Sequence, residues 1–226
     1  LELRWDPERA AVMHEKVERL GALVLRRSSA HQAADPEAVA AHLYAALSNQ
    51  PERAFNWSDK ALTMAQRLRF CRAHGATSLP NPDDHQALLL QLCIGRRSVA
   101  ELRQADLAQV LSHNMDYQQK QRLEQWAPQH IKLPGGRRAR VSYEDPLAPA
   151  VAARVQDFFG LENSPTLADG RAKAVCHLLA PNGRPAQITD DLAGFWSGSY
   201  AEVRKALRGR YPKHDWPEDP RMGRSS

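Results

Sequence analysis

The spacing of apolar residues changes twice along the chain, and each change predicts a different kind of structure. Residues 1–5 alternate apolar and polar positions and residues 20–25 form a short apolar run, a pattern typical of half-buried strands. From residue 35 to residue 127, apolar residues recur at three- and four-residue steps, which predicts helices. Beyond Pro128 both patterns occur, so we expect an α+β fold.

The helical section carries start signals as well as apolar faces. Suitable first-turn or capping residues are Pro36, Ser58, Asp83, Asp84, Ser98 with Glu101, and Asp116 with Gln119. The apolar faces that follow these starts consist of Val39, Leu43 and Leu47; Ala61, Met64, Leu68 and Cys71; Leu88, Leu89 and Leu92; and Leu123 and Trp126. One of these helices also carries Arg67, Arg69 and Arg72, which we interpret as a solvated face.

The last section predicts two hairpins, a helix between them and two terminal helices. The hairpins turn at residues 134–137 and 181–183, with strands over 130–133, 138–143, 172–179 and 186–189. Residues 147–159 predict a helix with Val151 and Val155 inward, stopped by Gly160. A short helix begins at Asp190 or Asp191, and the last helix extends from a Ser199–Glu202 capping box to Gly209.

Composition places the chain among ordinary globular proteins. Its 226 residues are 42% hydrophobic and 25% charged, enough for one or two domains with a real core. No apolar run is long enough to span a membrane, so we expect no membrane partner. Three cysteines without a Cys-x-x-Cys spacing favour a reduced, cytoplasmic setting.

Catalytic and metal-binding patterns are missing from the sequence. The nine histidines form no zinc-binding spacing. Cys176 and His177 are neighbours on a predicted strand, so their side chains point to opposite faces. The chain also lacks the Gly-x-x-x-x-Gly-Lys-Ser/Thr loop that cradles nucleotide phosphates and the Asp-Glu-x-His string of helicases. We therefore expect neither catalysis nor a bound metal or cofactor.

The most informative segment lies near the C-terminus, between Gly194 and Pro220. Residues 131–226 hold 15 of the 31 Lys and Arg residues but 11 of the 26 Asp and Glu residues, so the net positive charge is concentrated there. Four aromatic residues are interleaved with this charge, namely Trp196, Tyr200, Tyr211 and Trp216. The pattern fits a nucleic-acid surface, and composition alone favours an amphipathic helix with a solvated basic face and its aromatic rings in the core.

The same segment closely resembles the C-terminal signature of HrpB-type ATP-dependent helicases, bacterial relatives of the DEAH-box RNA helicases. The resemblance is carried by residues 191–196, 198–205, 207–214 and 216–220, and residues 20–25, 57–59 and 158–161 are similar too. It covers nearly the whole chain, strongly at the C-terminus and more loosely before about Gln129. It implies that two ATPase domains normally precede this region and that ATP and magnesium bind there. It also implies that residues 1–28 are the end of an OB-like domain, followed by a helical region over 29–128 and a C-terminal α+β domain over 129–226.

Two functions from different classes follow from these observations. The chain is either an auxiliary module that binds RNA or another single-stranded nucleic acid, or a docking module that packs on the helicase core or recruits a protein. For the first, the predicted phosphate contacts are Arg137, Arg138, Arg140, Arg204, Lys205, Arg208, Arg210 and Lys213. We expect Trp196 and Trp216 to lie in the core rather than to stack on bases.

Overall fold

The computed structural model describes residues 1–223. The helices are α1 (Pro36–Leu47), α2 (Asp59–Ala73), α3 (His85–Cys93), α4 (Val99–Gln104), α5 (Leu107–His113), α6 (Tyr117–Trp126), α7 (Leu192–Ser197) and α8 (Tyr200–Arg210). The strands are β1 (Glu2–Asp6), β2 (Ala11–Leu20), β3 (Leu23–Ser29), β4 (His130–Lys132), β5 (Arg138–Ser142), β6 (Ala150–Arg154), β7 (Thr166–Leu167), β8 (Ala172–Lys173), β9 (Val175–Leu179) and β10 (Pro185–Thr189). The fold is thus mixed α+β, as the sequence predicts.

The chain divides into two compact units, and the division falls within α2. The first unit comprises Leu1–Ala65 and Pro80–Met115, and the second comprises Gln66–Leu79 and the chain from Asp116 onward. The division of the chain into domains at residues 28 and 128 stays a prediction.

The first unit combines an antiparallel sheet, in the order β1-β2-β3, with a small helical core. The backbone N–H of Val12 donates to Arg97 O, and that of Val99 donates to Ala10 O, which ties the start of β2 to the start of α4. Side chains of Leu43, Leu89 and other apolar residues on α1, α3 and α4 are fully buried. Strand β1 agrees with the alternating pattern of residues 1–5. The strand predicted over residues 20–25 is wrong in its bounds, because this run covers the end of β2, a two-residue turn and the start of β3.

Predicted caps are present where the signal is local. The carboxylates of Asp84 and Asp116 accept backbone N–H groups at the starts of α3 and α6, and Asp116 with Gln119 forms a complete capping box. At α1, Pro36 occupies the first turn as predicted, and the cap is Asp35, which the sequence pattern does not indicate. The Ser98 hydroxyl accepts from Glu101 N, but the Glu101 carboxylate accepts from Arg97 N, so that box is incomplete. The box predicted at Ser199 is wrong, because Ser199 has helical backbone angles and its side chain caps nothing in residues 1–223.

The second unit is built on a five-stranded sheet in the order β10-β9-β6-β5-β4. All neighbouring strands are antiparallel except β6 and β9, which pair in parallel from Ala150↔Val175 to Arg154↔Leu179. One face of the sheet is buried, and its side chains include Val141, Val151 and Leu178. The two predicted hairpins are confirmed as β4–β5 and β9–β10. The single strand predicted over 172–179 is wrong, because it is divided into β8, which pairs with β7 in a separate two-stranded sheet, and β9.

The helix predicted over residues 147–159 is wrong. Its centre is strand β6, and a short 3₁₀ turn, Val155–Asp157, follows it. Burial alternates with a period of two: Val151 and Ala153 point inward, whereas Ala152 and Arg154 are exposed. Pairing with strands on both sides overrides the helix propensity of the alanines. The predicted end of α8 is also misplaced, since the helix continues past Gly209 to Arg210.

Arg67 does not lie on a solvated helix face, so that interpretation of the sequence is wrong. Its side chain is 1% exposed and donates from Nε to Ala127 O at 2.6 Å. From Nη2 it donates to Leu123 O at 3.4 Å and to the Glu124 carboxylate at 2.7 Å. The guanidinium thus satisfies carbonyl groups at the C-terminal end of α6, where the helix dipole favours a cation.

Replacing Arg67 with methionine should lower the free energy of unfolding by about 3 kcal/mol, because a buried cationic donor is lost and the Ala127 carbonyl loses its partner. Glu124→Gln should cost less than about 1 kcal/mol, because the Glu124 side chain is 64% exposed and water screens its charge. Urea denaturation followed by circular dichroism measures both. Equal losses in the two variants would contradict this account.

Burial also controls the reactivity of the cysteines. Desolvation raises the pKa of Cys71 to about 12 and the pKa values of Cys93 and Cys176 to about 11. Since the thiolate is the reactive form, we expect almost no labelling by a disulfide reagent at pH 8 until denaturant is added.

The same shifts make stability depend on pH. In the unfolded chain a cysteine has a pKa of about 8.5, and below that pH the contribution of each buried thiol to stability is fully present. This contribution is lost as the pH rises towards 11 or 12, the pKa values of the buried thiols. Stability falls as the pH rises through this range, because the unfolded thiols lose their protons at lower pH than the buried thiols, which favours the unfolded state. Time-resolved thiol labelling and unfolding midpoints between pH 8 and pH 11 test this. Rapid labelling of the native protein at pH 8 would show that the thiols are accessible.

Candidate nucleic-acid interface

The β4–β5 hairpin positions three of the predicted phosphate contacts. Its turn is closed by Leu133 N donating to Arg137 O and by Gly136 N donating to Leu133 O, each at 2.9 Å. Gly136 has a φ of +81°, which favours glycine, and a Cβ on Gly135 would lie 3.1 Å from Asp157 Cα. The two glycines therefore allow the sharp reversal that projects Arg137 into solvent and starts β5 at Arg138.

Arg138 and Arg140 lie on the solvent face of the five-stranded sheet. Residues 139 and 141 of β5 are buried, whereas Arg138 and Arg140 are exposed. Arg138 pairs across the strand with Lys132, and Arg140 pairs with His130, so these four basic side chains share one face.

The same face continues across β6 and β9. Arg154 is exposed on β6, as is Ala152, and the residue paired with Ala152 on β9 is His177. Strands β4, β5, β6, β9 and β10 contain no Asp or Glu. We call the surface formed by Lys132, Arg138, Arg140 and Arg154 the basic sheet face.

Arg137 is partly neutralised at its position beside this face. Its guanidinium lies 3.8 Å from the carboxylate of Asp157, while the Arg137 side chain is 56% exposed. Lys132, Arg138 and Arg154, by contrast, form no ion pair with any residue in 1–223. Uncompensated cations on one open face produce a positive potential that attracts a polyanion.

The remaining predicted phosphate contacts lie on helix α8 or just after it, and they are of two kinds. The Arg204 side chain is 23% exposed; its Nε donates to Trp216 O at 2.8 Å and its Nη2 lies 3.4 Å from the Glu218 carboxylate. Arg204 therefore holds the segment after α8 in place and is not presented to a ligand. The other four predicted contacts are exposed and make no ion pair within residues 1–223, namely Lys205, Arg208, Arg210 and Lys213.

The two tryptophans of the segment belong to the core. Trp196 packs against Phe159, Phe195 and Tyr200, and its indole N–H donates to Leu161 O at 2.7 Å. Trp216 is buried and donates to Tyr211 O at 2.9 Å. Burial raises the pKa of Tyr200 to about 12. Trp196 and Trp216 are thus core residues, as predicted, and do not form a stacking platform.

Two grooves share one residue of the β9–β10 turn. The first, of about 300 Å³, lies between α8 and the β9–β10 hairpin, and Arg184 and Arg210 are among its lining residues. The second, of about 320 Å³, is lined by Arg137, Arg154 and the hairpin turn. Asn182, in that turn, lines both. Arg210 lines the first groove and Arg137 the second, whereas Lys205, Arg208 and Lys213 line neither.

Some residues of this surface are not identified by the sequence analysis. Arg154 lies in the segment over which the sequence predicts a helix; the alternation of Val151, Ala153 and Val155 with Arg154 is the signal that indicates a strand there. Lys132 falls on the polar side of its predicted strand but not in the predicted site. Arg184 carries no local signal, because its position beside α8 depends on tertiary packing.

Neither a metal site nor a membrane span emerges from the described part of the chain. No group of three or more His, Cys, Asp or Glu side chains in residues 1–223 could hold a metal ion. Among the helices described, none has the length and apolar character needed to cross a bilayer.

Comparisons with known proteins agree with the sequence resemblance. A family model described as ATP-dependent helicase C-terminal, HrpB_C, matches residues 88–220. The ATP-dependent RNA helicase HrpB of Escherichia coli (strain K12) is 40% identical over 173 residues, which cover 73% of this chain and 21% of that protein. The chain thus spans about a fifth of the length of this relative.

Two crystal structures of E. coli HrpB share the fold. One, described as a DExH-box NTPase, is 32% identical over 97% of this chain with a TM-score of 0.75. The other, described as a DEAH/RHA helicase, is 30% identical over 95% of this chain with a TM-score of 0.66. The chain covers 28% of each of those proteins. Sequence and fold therefore agree: this chain belongs to the family of HrpB-type ATP-dependent helicase C-terminal regions.

Proposed function

We propose that this chain is a non-catalytic accessory region of an HrpB-type ATP-dependent helicase and that it binds RNA for the parent protein. The observation that carries the proposal is the basic sheet face. Its four cationic side chains lie on adjacent strands, and the five strands of the sheet contain no carboxylate side chain.

The geometry of the face suits a phosphate backbone. Lys132, Arg138 and Arg154 lie on three neighbouring strands, and strands in a sheet are about 4.8 Å apart. Cations at this spacing can neutralise successive phosphates and release their counterions, which gives affinity without sequence preference. The small side chain of Ala152 leaves room for the ligand beside Arg154.

RNA is the favoured ligand because a relative of this chain is an RNA helicase by name. E. coli HrpB is named an ATP-dependent RNA helicase, and this chain matches its sequence over 173 residues. In this proposal ATP and magnesium bind to an ATPase core in the parent protein, which acts in the cytoplasm. The accessory region holds the RNA strand while the core hydrolyses ATP.

A second candidate function is docking onto the helicase core, and the first unit favours it. Leu20, Leu23 and Leu25 are 70%, 63% and 60% exposed on β2 and β3. Large apolar side chains exposed together on a sheet mark a surface that another element covers. We propose that this sheet is the OB-like part of residues 1–28 and that it packs against the core of the same polypeptide. Docking through the first unit is compatible with RNA binding through the second.

Charge reversal at the basic sheet face should weaken RNA binding. For the double variant Arg138→Glu and Arg154→Glu, we expect at least roughly tenfold weaker binding to single-stranded RNA, about evenly across sequences. The slope of log affinity against log salt should flatten by about 1.4, since two phosphate contacts are lost at roughly 0.7 each. Fluorescence anisotropy titrations between about 50 and 200 mM salt measure both quantities.

The matched control is Arg9→Glu with Arg26→Glu. Both residues are exposed in the first unit, and the change in net charge is the same. This control should retain most of the affinity and the salt slope. If both double variants lose affinity equally, net charge rather than the basic sheet face governs binding, and the proposal is wrong.

The accessory region alone should not hydrolyse ATP. Its sequence contains no phosphate-binding loop that could hold the nucleotide. A coupled ATPase assay on the purified 226-residue chain, with and without single-stranded RNA, should give the buffer rate. RNA-stimulated turnover that persists through repeated purification would contradict the assignment as non-catalytic.

A further inference from the structure

The groove between α8 and the β9–β10 hairpin combines an apolar floor with a cationic rim. The floor is formed by Val203, Ala206 and Leu207 of α8 together with Ala180, Pro185 and Ala186 of the hairpin. The rim is formed by Asn182, Arg184, Arg210 and Tyr211. We refer to this feature as the α8 groove.

The rim residues have polar groups available to a ligand. Arg184 and Arg210 are exposed and form no ion pair within residues 1–223. Tyr211 is half-buried, and its hydroxyl donates no hydrogen bond to any other described residue. An occupant that matches this lining is flat and weakly polar on one side and anionic on the other.

A nucleotide has that chemistry, whereas an apolar peptide side chain lacks the charge that the rim would neutralise. A base can lie on an apolar floor and against a tyrosine ring, and its phosphate can contact arginine. The groove volume of about 300 Å³ lies at the small end of the range for ligand sites, which suits one base rather than a larger ligand.

The position of the groove links it to the proposed phosphate contacts. Asn182 lines both the α8 groove and the second groove, whose other lining residues include Arg137 and Arg154. A row of residues crosses the sheet from β4 to β10, one on each strand: Lys132, Arg138, Arg154, Leu179 and Pro185. The last of them, Pro185, also lines the α8 groove. Four strand spacings separate the two ends of this row, about 19 Å. Stacked nucleotides at about 3.4 Å would place roughly six nucleotides along it.

We propose that the α8 groove takes one unpaired base of an RNA strand whose phosphates lie along the basic sheet face. The proposal rests on the proposed function, because it assigns the RNA-binding surface to single strands rather than to duplexes. A base held in a duplex faces its partner and cannot reach the groove floor. The binding site should therefore prefer unpaired RNA and cover about six nucleotides.

The test fills the groove without changing its charge. Ala206 is an exposed residue of the groove lining, and Ala206→Phe should occupy the floor. The probe is a single-stranded RNA of roughly eight nucleotides with one 2-aminopurine, whose fluorescence reports stacking. For Ala206→Phe we expect about tenfold weaker binding and loss of the fluorescence change, with the salt slope unchanged. Ala201→Phe, on an exposed part of the same helix outside the groove, is the matched control and should behave as wild type.

A second variant approaches the groove from its other wall and is independent of α8. Arg184→Ala in the β9–β10 turn should also weaken binding and reduce the fluorescence change. Circular dichroism melts establish that each variant is folded. A blunt-ended RNA duplex of the same sequence should compete at least roughly tenfold less well than the single strand.

The outcomes separate this inference from the proposed function. If Ala206→Phe and Arg184→Ala both bind and fluoresce as wild type while Arg138→Glu with Arg154→Glu still weakens binding, the groove assignment is wrong and the basic sheet face remains. Equal competition by the duplex, or displacement of the RNA by an acidic peptide at similar concentration, would also overturn the groove assignment. If the wild-type chain binds no RNA, both proposals fail.

Discussion

The pairing of β6 with strands on both sides is the interaction on which the second unit depends. β6 pairs in parallel with β9 over five residues and in antiparallel with β5. It therefore joins two hairpins, β4–β5 and β9–β10, that would otherwise be separate and too small to be stable alone. Val151 and Ala153 anchor the strand from the core side, while Arg154 completes the opposite face. One strand thus supplies both packing and charge.

The arginines of this unit serve two different purposes that sequence alone does not distinguish. Arg67 is fully buried against the end of α6, and Arg204 donates to the carbonyl of Trp216. Both lie in segments whose charge looks like a solvated or binding surface when the sequence is considered alone. In each case a backbone carbonyl at the end of a helix or in a loop, which has no partner in secondary structure, accepts a hydrogen bond from the guanidinium. Arg138 and Arg154, on strands of the paired sheet, are left facing solvent.

Features with local causes can be predicted from the sequence, and those with distant causes cannot. Asp84 and Asp116 cap helices through atoms three residues away, and the turns at Gly136 and Gly183 need only the positive φ angles of those two glycines. Strand β6 escapes prediction because its conformation is decided by β9, more than twenty residues later in the chain. The sequence predicts the exposed positions of Arg138 and Arg140 correctly, because the alternation of apolar and polar residues within the hairpin indicates which side chains face solvent. It does not predict the exposed position of Arg154, because strand β6 forms only when it pairs with β9, which is distant in the sequence.

The two edges of the five-stranded sheet have a further consequence for how this unit meets other molecules. Strand β4 has three residues and ends at Lys132, two positions before Pro134. Strand β10 begins at Pro185, which has no N–H to donate, and its register shifts between Pro185 and Gln187. Short, charged, proline-bearing or bulged edges are poor templates for an added strand. Association by edge-to-edge strand addition is therefore disfavoured on both sides, and the broad surface of the sheet is what remains open to a partner.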